Sequence, residues 1–128
     1  MSAKRNAGVD FANTEYIAFI DSDAYPKENW LELSVKFLSE NNDYSAVTGC
    51  QYNFPEDNLV QHCLRLVRFN RLFTYKEWCI IIDKNSQEQD CGEFMTSNVI
   101  IRRKNYIDLG GMNEKIYLAE DNEFSQRM

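Results

Sequence analysis

The sequence predicts an α/β fold, a mixed sheet flanked by helices, on three observations. Short apolar runs alternate with segments whose apolar residues recur at helical spacing. One such run, Tyr16 to Ile20, is uninterrupted and stops at Asp21-Ser22-Asp23, as a strand buried on both faces does where it leaves a sheet. A Gly110-Gly111 pair directly follows a short helical pattern, which marks a left-handed stop.

Taken in order, Ala3 to Ala12 reads as a helix with Ala3, Ala7 and Phe11 on one face, and Asn13 with Thr14 breaks it. The Tyr16 to Ile20 strand follows. After Pro26 a helix from about Lys27 to Glu40 carries Trp30, Leu33, Phe37 and Leu38 on one stripe. Asn41, Asn42 and Asp43 end it, and Tyr44 to Tyr52 is the next strand. A second amphipathic helix, about Asp57 to Tyr75, turns Leu59, Cys63, Leu66, Val67 and Phe73 inward and leaves Arg65, Arg68 and Arg71 outward. Lys76 to Thr96 reads as strand or loop. Asn98 to Ile101 is a strand and Lys104 to Leu109 a short helix. A last helix starts near Glu120 with Phe124 and Met128 on one face, a pattern that asks for a partner surface and for a chain that continues.

A chain of 128 residues supports one modest core, hence a single domain over 1–128 or part of one. Its 44% hydrophobic and 13% aromatic content fits a folded globule. Twenty acidic residues against 14 basic give a net charge of -6, which argues against nucleic acid as a partner. A phosphate-bearing ligand then needs a metal ion or a local basic cluster. Cys50, Cys63, Cys79 and Cys91 form no Cys-x-x-Cys pair, so zinc and redox roles are disfavoured and reduced thiols expected. No segment resembles a signal peptide or is apolar enough to span a bilayer. The expected location is cytoplasmic, with the inner face of a membrane as a peripheral contact.

The chemistry-bearing residues are mostly carboxylates. Asp21 and Asp23 project from the carboxyl edge of the predicted sheet, where α/β proteins bind ligands. Hard oxygen ligands at this spacing suit Mg²⁺ or Mn²⁺, which retain waters and share sites with substrate phosphates. Asp-Ser-Asp is equally at home in a solvated turn. Glu120 and Asp121 open the last helix, where N–H groups and the dipole keep a carboxylate ionised and fit to act as a general base; first-turn acids are also ordinary helix stabilisers. Arg5 and Asn6 can donate to a diphosphate or to the strand ends, although a lone basic pair on a helix is more often a solvated face. The Arg65, Arg68, Arg71 ridge is likewise usually solvated, and only secondarily a membrane or acceptor contact. His62 has no Ser or Cys neighbour at a triad spacing and receives no role.

Lys-Arg-Asn-Ala-Gly at 4 to 8, a strand, Asp-Ser-Asp at 21 to 23, Gly-Gly-Met-Asn-Glu at 110 to 114 and Glu-Asp at 120 to 121 occur in this order over nearly the whole chain. This arrangement resembles family 2 glycosyltransferases, and the resemblance implies a partial GT-A fold, the Rossmann-like fold of nucleotide-diphospho-sugar transferases. It implies that Asp23 coordinates a Mn²⁺ or Mg²⁺ on the donor diphosphate, with Asp21 near the ribose and the metal. Arg5, with Asn6 beside it, would border the nucleotide. Asp121, with Glu120 next to it, would deprotonate an acceptor hydroxyl, giving a product of inverted configuration. The implied partners are a nucleotide-sugar donor, a UDP-sugar first among them, and a glycan, lipid-linked or protein acceptor. Met112 and Asn113 stand where the family's turn has Phe and Asp, keeping an apolar anchor and losing a charge. The family's first strands, which build the base pocket, would precede residue 1.

Two other readings remain open at this point. Haloacid dehalogenase-like phosphatases also place Asp-x-Asp after a buried strand, with the first Asp as nucleophile. Their Thr or Val two residues after the second Asp is Tyr25 here, and Lys104, Glu120 and Asp121 fit their remaining positions only loosely. Alternatively the chain folds without transferring anything, and pairs with a second copy through an exposed sheet edge as a homodimer.

Overall fold

The computed structural model describes residues 1–49, 56, 58–60 and 94–128. The helix expected over Asp57 to Tyr75, with its arginine ridge and His62, lies almost wholly outside the described residues, as do the four cysteines and nearly all of the Lys76 to Thr96 stretch.

The elements run α1 (Ser2–Phe11), β1 (Tyr16–Ile20), α2 (Trp30–Glu40), β2 (Ala46–Thr48), β3 (Asn98–Arg102), α3 (Arg103–Asp108) and α4 (Glu120–Arg127). The three strands form one sheet in the order β1-β3-β2. β3 is antiparallel to both neighbours, with Ile17 opposite Ile101 on one side and Ala46 opposite Ile101 on the other. β1 and β2 therefore run in the same direction, joined through α2, and β3 fills the place between them. Both adjacent pairs are antiparallel, so among the described residues the sheet is an antiparallel one where a mixed one was expected; the α/β class itself holds.

Alternation across the central strand divides the core. On one face Val99, Ile101 and Ile17 meet Val9, Tyr106, Met112 and Phe124. On the other Ile100 and Val47 meet Phe37 and Leu38 of α2. Helices cover both faces, α2 on one and α1, α3 and α4 on the other. The stripe predicted on α2 is the buried one, with Trp30 packed at its border and the Ser34 hydroxyl satisfied by the Trp30 carbonyl at 2.7 Å. Arg102 reaches from the end of β3 to donate to the Leu38 and Asn41 carbonyls, capping α2 at its negative end.

The placement expected for β1 is corrected. The strand buried on both faces is β3, where Val99, Ile100 and Ile101 are all buried, and not β1. Among the described residues β1 is at the edge of the sheet: Ile17 is buried, but Ala18 and Ile20 are exposed, while Tyr16 at its start packs against the cluster that α2 forms with β2 and β3. Among the described residues the outer edge of β1 has no paired strand. On α1 the face that Ala3, Ala7 and Phe11 share is turned outward, Phe11 being 87% exposed. Its inward face is Ser2, Arg5, Asn6 and Val9, a polar stripe that the apolar pattern could not predict.

The partner surface sought for Phe124 and Met128 is the chain's own core. Phe124 is completely buried and Met128 packs against the same cluster. No described helix is long and apolar enough to cross a membrane.

Candidate functional site

β1 delivers Asp21 at the end of the sheet where β3 begins, since Ile20 lies opposite Asn98. The chain turns at once: the Ala24 N–H donates to the Asp21 carbonyl at 3.0 Å, which puts Asp21, Ser22 and Asp23 on one exposed turn. The return of the chain is pinned nearby, because Trp30 Nε1 donates to Asn98 Oδ1 at 2.7 Å while Thr48 Oγ1 donates to the Asn98 carbonyl at 2.6 Å. The two carboxylates therefore stand in water on a turn whose flanks are fixed.

This donor set fits a hard divalent cation in a particular way. Among the described residues no group of three or more His, Cys, Asp or Glu side chains could hold a metal ion. Two exposed carboxylates are a partial set, the kind Mg²⁺ and Mn²⁺ complete with water and substrate phosphate oxygens.

The second acidic pair opens α4. Ala119, with φ of 61°, adopts the left-handed conformation and turns the chain sharply into the helix. Glu120 points inward and Asp121 is half-buried, its Oδ1 accepting the Asn122 N–H at 3.0 Å. Phe94, just ahead of β3, packs edge-on against Phe124 with ring centroids 6.2 Å apart. That contact anchors α4 from the end of the sheet at which β1 delivers Asp21.

Arg5 and Asn6 are brought to α4 and to the glycine turn. Arg5 Nη1 donates to Glu120 Oε1 at 2.5 Å, and both side chains are largely buried, 15% and 12% exposed. Asn6 Nδ2 donates to the Met112 carbonyl at 2.9 Å and to Glu114 Oε1 at 3.0 Å. Its Oδ1 accepts the Met112 N–H at 3.0 Å and the Tyr106 hydroxyl at 2.7 Å. An amide has two donor hydrogens and two lone pairs, so this one is saturated. Burial pushes the Tyr106 phenol up, which keeps it a donor to Asn6. Gly110 and Gly111 have φ of 78° and 71°, the left-handed stop expected from sequence. A Cβ on Gly111 would sit 2.8 Å from Asn6 Oδ1, so glycine is needed there both for conformation and for Asn6's approach. Met112, 2% exposed, is the apolar anchor of the turn.

Burial alone would raise the Glu120 carboxyl. The backbone N–H at the helix start, the Arg5 hydrogen bond and charge, and the N-terminal ammonium outweigh it and hold the carboxyl below the ordinary glutamate value. A depressed folded-state pKa contributes stability that is fully present above the unfolded value and is lost as pH falls through the folded one. Glu120→Gln is therefore expected to cost about 1.5–3 kcal/mol at neutral pH, the range for a hydrogen bond to a charged group. The gap between urea midpoints of parent and variant should close on acidification below the ordinary glutamate range. A gap independent of pH would mean that the Glu120 charge is not what Arg5 holds.

The sheet and the helices on its two faces make three layers, α/β/α, with acidic residues at the end of β1 and at the start of α4. The chain belongs to glycosyl transferase family 2, whose family model matches residues 1–110, and its fold is accordingly GT-A. No curated protein and no solved structure gives a significant match. The matched stretch contains Arg5, Asn6, Asp21 and Asp23; Glu120 and Asp121 lie beyond it.

Sequence reasoning named all of these side chains but missed their connections. It also passed over Tyr106 and Arg127. Arg127 donates to the Leu109 and Gly111 carbonyls, each at 2.8 Å, and pairs with Glu123. The available signal was its place in the last turn of α4, two turns from Glu120.

Proposed function

We propose that this chain acts in metal-assisted transfer of a sugar from a nucleoside diphosphate sugar, a UDP-sugar first among candidates, to an acceptor hydroxyl with inversion at the anomeric carbon. The observation that carries the reading is the exposed Asp21-Ser22-Asp23 turn at the end of β1 in a family 2 chain. Asp23, with Asp21 beside it, would hold Mn²⁺ or Mg²⁺ against the donor diphosphate. When bound, the cation neutralises charge on the departing nucleoside diphosphate.

Asp121 is the better of the two helix-start carboxylates for the base. Glu120 is committed to Arg5 and its proton affinity is lowered by that pairing, which makes it a poor proton acceptor. Asp121 follows it in the same turn, half-buried, with its Oδ1 accepting only the Asn122 N–H among the described residues, and can take the acceptor hydroxyl proton as the oxygen attacks. Attack from the face opposite the diphosphate gives inversion without a covalent intermediate, so a second carboxylate nucleophile has no part in the scheme.

Calorimetric titration with UDP, with and without Mn²⁺, tests the donor half of the reading. The parent chain is expected to bind UDP only with Mn²⁺, and Asp23→Ala to lose that binding by at least about a hundredfold in affinity. Equal UDP·Mn²⁺ binding by Asp23→Ala would remove Asp23 from the metal site.

A further inference from the structure

We infer that Arg5 and Asn6 are positioning residues for the helix that bears Asp121, and not contacts of the nucleotide; the inference rests on the transferase reading for its functional meaning. The contacts close on themselves. From α1, Arg5 holds Glu120 at the start of α4. At the other end of α4, Arg127 holds the Leu109 and Gly111 carbonyls of the glycine turn. The next residue of that turn, Met112, returns to α1 through both of its backbone groups, which bond to Asn6. Helix, turn and helix are thus tied in a ring by polar groups from three separate stretches of sequence, around the buried Phe124 and Tyr106 rings.

The chemistry of each member argues against a nucleotide role. Asn6 has both donors and both lone pairs occupied within the fold, so a phosphate oxygen would have to displace one of them. The Arg5 charge is already matched by an ionised Glu120, and a matched pair presents little net field to a diphosphate. The ring instead sets the angle at which α4 leaves Ala119, and hence where Asp121, one residue past Glu120, presents its carboxylate. Preorganisation of this kind is worth most when a base must meet its proton within a few tenths of an ångström.

The test compares Arg5→Met, Arg5→Lys and, as a control on the exposed side of α1, Lys4→Met. Three readouts are taken: UDP·Mn²⁺ affinity, hydrogen exchange of the α4 amides, and kcat and KM for UDP release from UDP-glucose, UDP-galactose and UDP-N-acetylglucosamine. Arg5→Met is expected to keep UDP·Mn²⁺ affinity within about twofold, speed α4 exchange by about tenfold or more, and lower kcat by about tenfold with donor KM unchanged. Arg5→Lys keeps one charged donor and should recover part of both losses, while Lys4→Met should change none of them. An affinity loss of about tenfold or more in Arg5→Met, or α4 exchange equal to the parent, overturns the inference. If the parent chain neither binds UDP nor turns over any of the three donors, the transferase reading fails for this chain. The exchange comparison of Arg5→Met with Lys4→Met still decides whether Arg5 positions α4.

Discussion

Asp121→Asn is expected to lower sugar transfer by about 10²–10⁴-fold, the usual contribution of a positioned general base, while leaving UDP·Mn²⁺ affinity unchanged. The substitution is chosen because it is nearly silent structurally. Asp121 Oδ1 accepts the Asn122 N–H at 3.0 Å, and an asparagine carbonyl oxygen can accept the same bond. What is lost is the negative charge, and with it the capacity to take a proton. The proposed donor site lies on a different element, the turn after β1, so binding and chemistry separate in the measurement. A loss of kcat with constant UDP affinity assigns the base to Asp121. Full transfer by Asp121→Asn would exclude it as the base.

The elements whose apolar residues face a single neighbour were legible in the sequence. α2 buries the stripe its spacing predicts, and the Gly110-Gly111 stop appears where glycine alone tolerates the required backbone. β1 was located correctly but placed too deep. An uninterrupted Tyr-Ile-Ala-Phe-Ile run looks the same whether both faces are covered or only one, and the coverage depends on how far α2 extends across the sheet. The inward face of α1 was not legible in the sequence, for a more instructive reason. Periodicity ranks Ala3, Ala7 and Phe11 as the buried side, yet Arg5 and Asn6 can be buried because Glu120, Met112, Tyr106 and Glu114 supply their hydrogen bonds. Those partners lie about a hundred residues away, beyond the reach of any local pattern.

The candidate site divides along the same line. Asp21, Asp23 and Asp121 owe their standing to short motifs next to a strand end or a helix start, and such motifs are visible in one dimension. Glu120 and Asp121 are adjacent and look interchangeable in the sequence, whereas in three dimensions Glu120 is ion-paired with Arg5 and Asp121 has no ion pair among the described residues. That difference in surroundings, not in residue type, is what divides their proposed roles, one structural and one chemical.

Phe124→Ala is expected to reduce unfolding stability by about 3–5 kcal/mol, a large share of what a domain of this size possesses. The ring is fully buried between Tyr106 at 4.7 Å and Phe94 at 6.2 Å, with the Arg127 guanidinium 5.2 Å from its centroid. Truncation removes apolar surface from the larger of the two core clusters among the described residues and leaves a cavity between Tyr106 of α3 and Phe94 ahead of β3, which cannot both close on it. The urea midpoint followed by circular dichroism measures the loss, and Phe124→Leu, which keeps most of the volume, should cost clearly less. The consequence reaches beyond stability. Phe124 is one turn from Glu120 and Asp121, so the same ring that completes the core fixes the depth at which α4 sits beneath its acidic end. An unchanged midpoint in Phe124→Ala would mean that α4 is held by its polar ring alone, and the apolar packing would then have no part in placing Asp121.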